Sequence, residues 1–180
     1  ITIDKFSEKK VPIAIVPFVD RSEPPFRHTD WNGLAAIITS DLKLTGWFDV
    51  IKPEAFLDIA KGEAINLDVG AIPFQKWAAI DADYLVKGYY EIKGKSASGK
   101  MVLYDVVSRK ELRVFPFNAP NPNESGRKTA HQIANRIVEE ITGEMGIFET
   151  YVAGTFKAAT KFAAKQIFTC EIDGSRMQFR

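Results

Sequence analysis

The strongest constraint on the fold is a continuous apolar run over residues 11–18, Val-Pro-Ile-Ala-Ile-Val-Pro-Phe. A strand that is apolar at successive positions is buried on both faces, and such strands are typical of α/β sheets. After a polar loop, Asp30 is the predicted N-cap of a helix, and Gly46 is placed to follow its end. Strand, loop and capped helix in this order predict half of a βαβ unit.

Short elements follow this first unit. Residues 47–51 are predicted to form a strand, and Pro53 is suited to open a short helix through residue 60. A second short helix is predicted over residues 73–80. Residues 84–92 and 101–107 then have the pattern of strands that flank a hairpin tip over residues 94–99. We therefore expect an antiparallel hairpin after the helical segment.

The hairpin is predicted to continue into a third strand over residues 111–118. Two prolines and three asparagines in residues 118–123 indicate a loop. A long helix follows, with Gly143 as its stop, and its apolar residues fall at helical spacing on one stripe: Ala130, Ile133, Ala134, Ile137, Val138 and Ile141. The predicted fold is therefore α/β, a mixed sheet of about five strands with two main helices packed on it.

The last part of the chain has a different pattern. Residues 147–156 and 166–172 are predicted strands, and Asp173-Gly174 is a turn signal. A hairpin of this size is marginally stable alone, so we expect residues 147–180 to begin a further structural unit.

Composition excludes several classes of function. The 24 Lys and Arg residues balance 23 Asp and Glu residues, and neither sign dominates a long stretch, which disfavours nucleic acid as a partner. Cys170 is the single cysteine, so an internal disulfide is impossible. No apolar run approaches the roughly 20 residues that a membrane-spanning helix needs. We predict one main domain without a membrane span.

One segment resembles a nucleotide-binding motif. Residues 94–100, Gly-Lys-Ser-Ala-Ser-Gly-Lys, match the first seven positions of a phosphate-binding P-loop. Met101 replaces the Ser or Thr hydroxyl that binds magnesium, and the pattern that follows is a strand, whereas a P-loop leads into a helix. The segment is therefore predicted to be a hairpin tip.

Candidate catalytic and metal-binding residues lack the required spacing. His28 and His131 are far apart and form no local metal-binding pair, so each is interpreted as a surface or half-buried histidine. Asp81 and Asp83 resemble a carboxylate pair but are expected to cap or turn the chain. Cys170 is interpreted as a small buried residue. We predict no catalytic residues, no cofactor, no metal and no small-molecule substrate.

Several motifs in the same order resemble the amino-terminal domain of the TolB family. They are the apolar run at 11–18, Gly33-Leu34-Ala35 through Ser40-Asp41-Leu42, Gly46 with Phe48, Ala82 through Gly88, and Ile141-Thr142-Gly143-Glu144-Met145-Gly146-Ile147-Phe148-Glu149-Thr150. The last motif is similar to the exit from that domain into a β-propeller, and residues 165–179 are similar to the first strands of a propeller blade. The resemblance extends over nearly the whole chain.

The resemblance implies a function and a domain division. It implies a periplasmic, non-catalytic protein of the Tol-Pal cell-envelope system that contacts TolA, with residues 1–10 as an extended segment, 11–146 as the α/β domain and 147–180 as the start of a propeller. Pal binding is implied only for the rest of that propeller. The partner-binding residues expected from the alternating amino terminus are Ile1, Thr2, Ile3, Asp4, Lys5 and Phe6.

Two other classes remain open. The first is an outer-membrane assembly or regulator domain of the lipoprotein type, in which a strand also ends in Val-Pro-Phe-like residues. The second is a nucleic-acid-binding domain of the anticodon-binding type, a fold that resembles that of the TolB domain. The local mixture of Tyr89 and Tyr90 with Lys93 and Lys95 offers the second class limited support.

Overall fold

Six strands form a mixed sheet in the computed structural model, which describes residues 10–56, 66–157 and 165–179. The strands are β1 (Val11–Ile15), β2 (Val19–Asp20), β3 (Phe48–Ile51), β4 (Tyr84–Lys93), β5 (Ser96–Asp105) and β6 (Lys110–Pro120). Their order is β3-β1-β4-β5-β6, and β2 also pairs with β4. β1 is parallel to β3 and β4, whereas β4, β5 and β6 form an antiparallel meander. The predicted α/β class with a mixed sheet is confirmed.

The apolar run forms the centre of the sheet. Ile13 and Ala14 are fully buried between β3 and β4. Ile13 and Ile15 belong to the apolar cluster on one face, while Ala14 and Val16 belong to the cluster on the other. Because successive side chains of a strand point to opposite faces, a run without polar residues is what a strand with two covered faces requires.

Helices cover the two faces unequally. One face is covered by α1 (Thr29–Asn32), α2 (Leu34–Leu44) and the long α4 (Pro122–Thr142), which contribute to the larger cluster. On the opposite face lie α3 (Phe74–Ala78) and single 3₁₀ turns, Pro53–Ala55 and Val69–Ala71. The two main helices, α2 and α4, were predicted. Of the short helix predicted from residue 53 to 60, residues 57–60 lie outside the described residues.

The first helix begins earlier than its sequence suggests. Its N-cap is His28, whose Nδ1 accepts a hydrogen bond from the Asp30 N–H at 3.3 Å, so Asp30 lies in the first turn and is not the cap. The sequence-based choice was wrong because the histidine side chain replaces the usual Ser, Thr or Asp oxygen.

The apolar stripe of α4 is buried as predicted, and Gly143 ends the helix at φ +77° with its N–H donating to Glu139 O at 2.9 Å. The loop predicted over residues 118–123 is much shorter. β6 continues to Pro120, and Asn121 at φ +52° turns the chain directly into a helix whose first residue is Pro122. Proline lacks the N–H that a first helical turn leaves unpaired, so a proline-rich stretch can adjoin a helix without an intervening loop.

The predicted hairpin tip is also shorter. Only Gly94 and Lys95 form the turn, with Gly94 at φ +59°, and β5 begins at Ser96. Residues 96–100 pair in register with both β4 and β6, so backbone pairing on both sides outweighs the weak strand propensity of Ser and Gly.

A second, antiparallel sheet contains β7 (Tyr151–Lys157), β8 (Lys165–Glu171) and β9 (Gln178–Phe179). The strand predicted to start at residue 147 starts at Tyr151. Phe148 is 2% exposed in the core of the α/β domain, and its N–H donates to Asn135 Oδ1 at 2.9 Å. This anchor prevents the preceding residues from joining the strand. The predicted domain boundary at residue 146 stays a prediction.

Candidate functional site

The predicted partner-binding residues Ile1, Thr2, Ile3, Asp4, Lys5 and Phe6 lie outside the described residues. The first described residue, Lys10, is exposed and directly precedes β1. The Val11 N–H donates to Trp47 O at 2.8 Å. The described part of the chain therefore starts beside the beginning of β3, an outer strand of the sheet.

Exposed apolar side chains lie at this entry point. Leu44 at the end of α2 is 55% exposed, and Trp47 just before β3 is 41% exposed. Among the described residues β3 pairs with β1 alone and forms one edge of the sheet, so its other side offers backbone groups to an added strand. We call these two side chains and the outer edge of β3, which lie beside the first described residues of β1, the entry surface.

A groove lies at the opposite edge of the sheet. It runs between β6 and α4 and is closed by residues 145–150. Phe115 and Phe117 are half-buried on its floor, whereas Met145 and Ile147 are 84% and 57% exposed on its rim. Arg136, Glu139 and Glu149 bring charges of both signs, so the groove combines apolar contact with charged groups.

The most unusual polar feature is a buried charge network between the two sheets, which sequence spacing did not predict. Its centre is His131 of α4, which is 3% exposed. His131 Nδ1 lies 2.7 Å from Asp41 Oδ2 on α2, and His131 Nε2 lies 3.3 Å from Glu171 Oε2 at the end of β8. The interpretation of His131 as a surface or half-buried residue was wrong, because partners from two distant segments compensate its burial.

Arg127, one helical turn before His131, holds the same end of β8. Its Nε donates to Glu171 Oε2 at 2.5 Å, and its Nη2 donates to Asp173 Oδ2. Ser175 Oγ donates to Glu171 Oε2 at 3.0 Å. The side chains of Arg127, Glu171 and Asp173 are 15%, 8% and 8% exposed. The turn after β8 is therefore attached to α4 by hydrogen bonds to charged groups, the stronger kind of hydrogen bond.

Arg176 extends the network outward to α1. Its Nη1 lies 3.5 Å from Glu171 Oε1, and its Nη2 lies 3.4 Å from Asp30 Oδ2. Asp41 Oδ1, by contrast, is buried without a hydrogen-bond partner among the described residues. The network thus changes from solvent-exposed ion pairs at Arg176 to a fully buried carboxylate at Asp41.

The network shifts the pKa values of its members. Burial alone would lower the pKa of His131, but the hydrogen bond and charge of Asp41, followed by those of Glu171, raise it above 6.5. Burial raises the pKa of Asp41, an effect that His131 only partly offsets. Burial would likewise raise the pKa of Glu171, but hydrogen bonds from Arg127, Ser175 and His131 lower it below its usual value. The network therefore stabilises a charged imidazolium and an ionised Glu171 relative to the same side chains in water.

Asp41, His131 and Asp173 place potential metal-ligand atoms within 4.8 Å of one another. Both ring nitrogens of His131 already face carboxylates, and the Arg127 guanidinium bonds to Asp173. A cation would have to displace that positive charge, so the grouping is an ion-pair network.

The P-loop-like segment does not form a phosphate cradle. Residues 96–100 belong to β5, and the following residues continue the same strand, so the segment does not lead into a helix as a P-loop does. Gly99 has a packing role: a Cβ atom there would lie 2.3 Å from Tyr89 O and 2.5 Å from Phe117 Cζ. The space beside Gly99 is filled by neighbouring strands.

We expect Gly99→Ala to lower the free energy of unfolding by about 1–3 kcal/mol, because the neighbouring backbone would have to shift. Ser98→Ala, at an exposed position of the same strand, is the control and should change stability by less than about 0.5 kcal/mol. Urea unfolding of both variants tests the packing role, and similar stabilities would contradict it.

The other residues considered as site candidates turn the chain or pack in its interior. Asp81 at φ +60° forms a turn, as expected, whereas the Asp83 N–H donates to Pro12 O at 3.0 Å beside the pairing of β4 with β1. Cys170 is buried, as predicted. Tyr90 is 1% exposed and donates from its hydroxyl to Asn32 Oδ1 at 2.8 Å, so it cannot stack on a base. Among the described residues, no helix is long and apolar enough to cross a membrane.

Comparison with known proteins identifies related sequences. The family model of the TolB amino-terminal domain matches residues 1–112. The Tol-Pal system protein TolB of Hahella chejuensis is 32% identical over 181 aligned residues, covering 98% of this chain and 39% of that protein. TolB of Methylobacillus flagellatus is 30% identical over 156 residues, covering 86% of this chain and 34% of that protein. The chain spans about a third of the length of these relatives.

Solved structures share the fold. The crystal structure of TolB from Acinetobacter baumannii superposes with a TM-score of 0.76 at 23% identity, covering 95% of this chain and 38% of that one. A hypothetical protein from Chlamydia trachomatis superposes with a TM-score of 0.54 at 13% identity, covering 76% of this chain and all of that one. The first superposition includes nearly all of this chain, and at these identities both matches concern the fold alone.

Proposed function

Because this chain belongs to the family of the TolB amino-terminal domain, within the Tol-Pal system proteins, we propose that it is a non-catalytic, periplasmic interaction module that docks TolA. The proposed contact is made by the amino-terminal segment and the entry surface. Pal binding is assigned to a propeller of which residues 147–180 contribute the first strands. The function therefore depends on surfaces, without a reaction or a cofactor.

The observation that carries the proposal is the position at which the amino-terminal segment joins the fold. The family match begins at residue 1, so it includes the segment 1–6 as well as the sheet. Directly after this segment the chain forms β1, which pairs with β3, an edge strand of the sheet among the described residues, and the exposed Leu44 and Trp47 lie just before β3. An extended peptide with alternating apolar side chains can pair its backbone with a strand while its side chains occupy pockets, which combines affinity with selectivity.

We expect deletion of residues 1–7 to weaken binding to the carboxy-terminal domain of the cognate TolA at least tenfold, about 1.4 kcal/mol. The melting temperature should stay nearly unchanged, because the segment is proposed to serve the partner and not the core. Calorimetric titration gives the affinity, and thermal unfolding gives the stability of the same samples.

Two double variants sharpen this test. Ile1 and Ile3 alternate with Thr2 and Asp4, so a strand places the two pairs on opposite faces. Ile1→Ser with Ile3→Ser should reproduce most of the affinity loss, whereas Thr2→Ser with Asp4→Ser should retain most of the binding. Unchanged affinity after the deletion would remove the segment from the interface, and a large fall in melting temperature would make it a structural strand.

A further inference from the structure

His131 connects the α/β domain to the second sheet through both of its ring nitrogens, and both contacts can be hydrogen bonds only when the ring is protonated. Its Nδ1 faces a carboxylate of α2 and its Nε2 faces a carboxylate of β8, at 2.7 and 3.3 Å. A neutral imidazole has one N–H and cannot donate to both, whereas the imidazolium has two. Protonation of one side chain therefore decides whether the contact between α4 and the end of β8 is complete.

We propose that His131, Asp41, Glu171, Arg127 and Asp173 form a proton-dependent latch that holds the three-stranded sheet against the α/β domain. The latch is closed when His131 is an imidazolium and weakened when His131 is neutral. It acts at the junction between the two units and is independent of the proposed TolA contact.

The geometry determines which contact weakens on deprotonation. Asp41 is fully buried, lies closer to the ring than Glu171 does, and has one oxygen without a partner in the described part of the chain, so it retains the remaining N–H. Nε2 then presents a lone pair to Glu171 Oε2, and two acceptors at that distance repel. Glu171 keeps Arg127, Ser175 and Arg176 as partners and can move with its turn. The latch therefore loosens on the β8 side.

The surrounding charges favour the closed state. The groups that face this cluster are Asp41 of α2, Arg127 of α4, Asp30 of α1, and Glu171, Asp173 and Arg176 from the end of β8 and its turn. With His131 protonated, three positive side chains face four negative ones, and deprotonation of His131 raises the excess of negative charge from one to two in a largely buried cluster. That imbalance costs more than it would in water because the local dielectric constant is low.

The direction of the pH dependence follows from the pKa shifts. The pKa of His131 is raised from 6.5 in the fold, so its contribution is complete below pH 6.5 and is lost as pH rises through the raised value. The pKa values of Glu171 and Asp173 are lowered from 4.5 and 3.8, so their contributions are present above those values and are lost as pH falls through the lowered ones. The latch should be strongest on the mildly acidic side of neutrality.

Nuclear magnetic resonance on the unmodified chain tests the protonation step. The chain has two histidines, so the ring nitrogens of His131 can be assigned with a His28→Gln variant. We expect long-range ¹H–¹⁵N spectra to show both nitrogens of His131 protonated at pH 6.5, with a titration midpoint above that value. A midpoint at or below pH 6.5 would overturn the proposal without requiring any substitution at the network.

Amide hydrogen exchange tests the opening step. The N–H groups of Glu171 and Gly174 bond within the turn that the latch holds, to Ser175 O at 3.0 Å and Glu171 O at 2.8 Å. After correction for intrinsic exchange, their protection should fall about tenfold or more between about pH 6 and pH 9. His131→Gln should have low protection and no such pH step, whereas His28→Gln should retain the step. An identical pH profile in wild type and His131→Gln would overturn the latch.

Discussion

Replacement of Ile137 with aspartate is expected to lower the free energy of unfolding by at least about 4 kcal/mol. Ile137 is fully buried at the centre of the apolar stripe of α4, within the cluster that also contains Ile13 and Leu34. The substitution removes a packed side chain and places an unpaired charge where water cannot reach. Chemical denaturation monitored by circular dichroism measures the loss.

The matched control is Lys128→Asp, which introduces the same side chain at an exposed position of the same helix. It should change stability by less than about 1 kcal/mol. Truncation after Thr150 should also be milder than Ile137→Asp, because it keeps the buried Phe148 and removes the second sheet, its ion pairs and the partly buried Ile172. The opposite ranking would show that the carboxy-terminal strands belong to the core and that the predicted domain boundary is wrong.

Arg127→Met is expected to cost about 3–5 kcal/mol, because it leaves two largely buried carboxylates without their main cation. Glu171 and Asp173 would then face each other with Arg176 and His131 as the remaining positive groups. Methionine keeps much of the apolar volume of arginine, so the loss reports on charge and hydrogen bonding more than on packing. Thermal and urea unfolding at constant pH measure the effect.

Arg136→Met is the matched control. Arg136 lies nine residues further along the same helix and pairs with Glu139 at 2.9 Å, but the two side chains are 60% and 49% exposed. Exposed pairs at this spacing contribute about 0.5 kcal/mol or less. Adding Glu171→Gln and Asp173→Asn to Arg127→Met should restore part of the lost stability. Equal effects of the two arginine substitutions would contradict a buried network.

Local patterns predicted the architecture of the α/β domain. The run at 11–18 predicted a strand buried on both faces, and the apolar stripe of α4 predicted a helix that Gly143 ends. These features follow from the sequence because strand and helix periodicities place neighbouring side chains on known faces. The sequence-based predictions were wrong at the ends of elements. Pro120-Asn121-Pro122 joins β6 directly to α4, and the buried Phe148 delays the start of β7.

The sequence by itself determined the fold class, the two main helices and the family resemblance, because each depends on local spacing and on the order of motifs. The tertiary structure alone decided the role of His131, whose partners Asp41 and Glu171 are 90 and 40 residues away in the chain. It also decided that Gly99 is a packing residue, because the atoms that exclude a side chain there belong to neighbouring strands. Contacts between distant segments form only when the sheet and helices bring them together, so no local pattern encodes them.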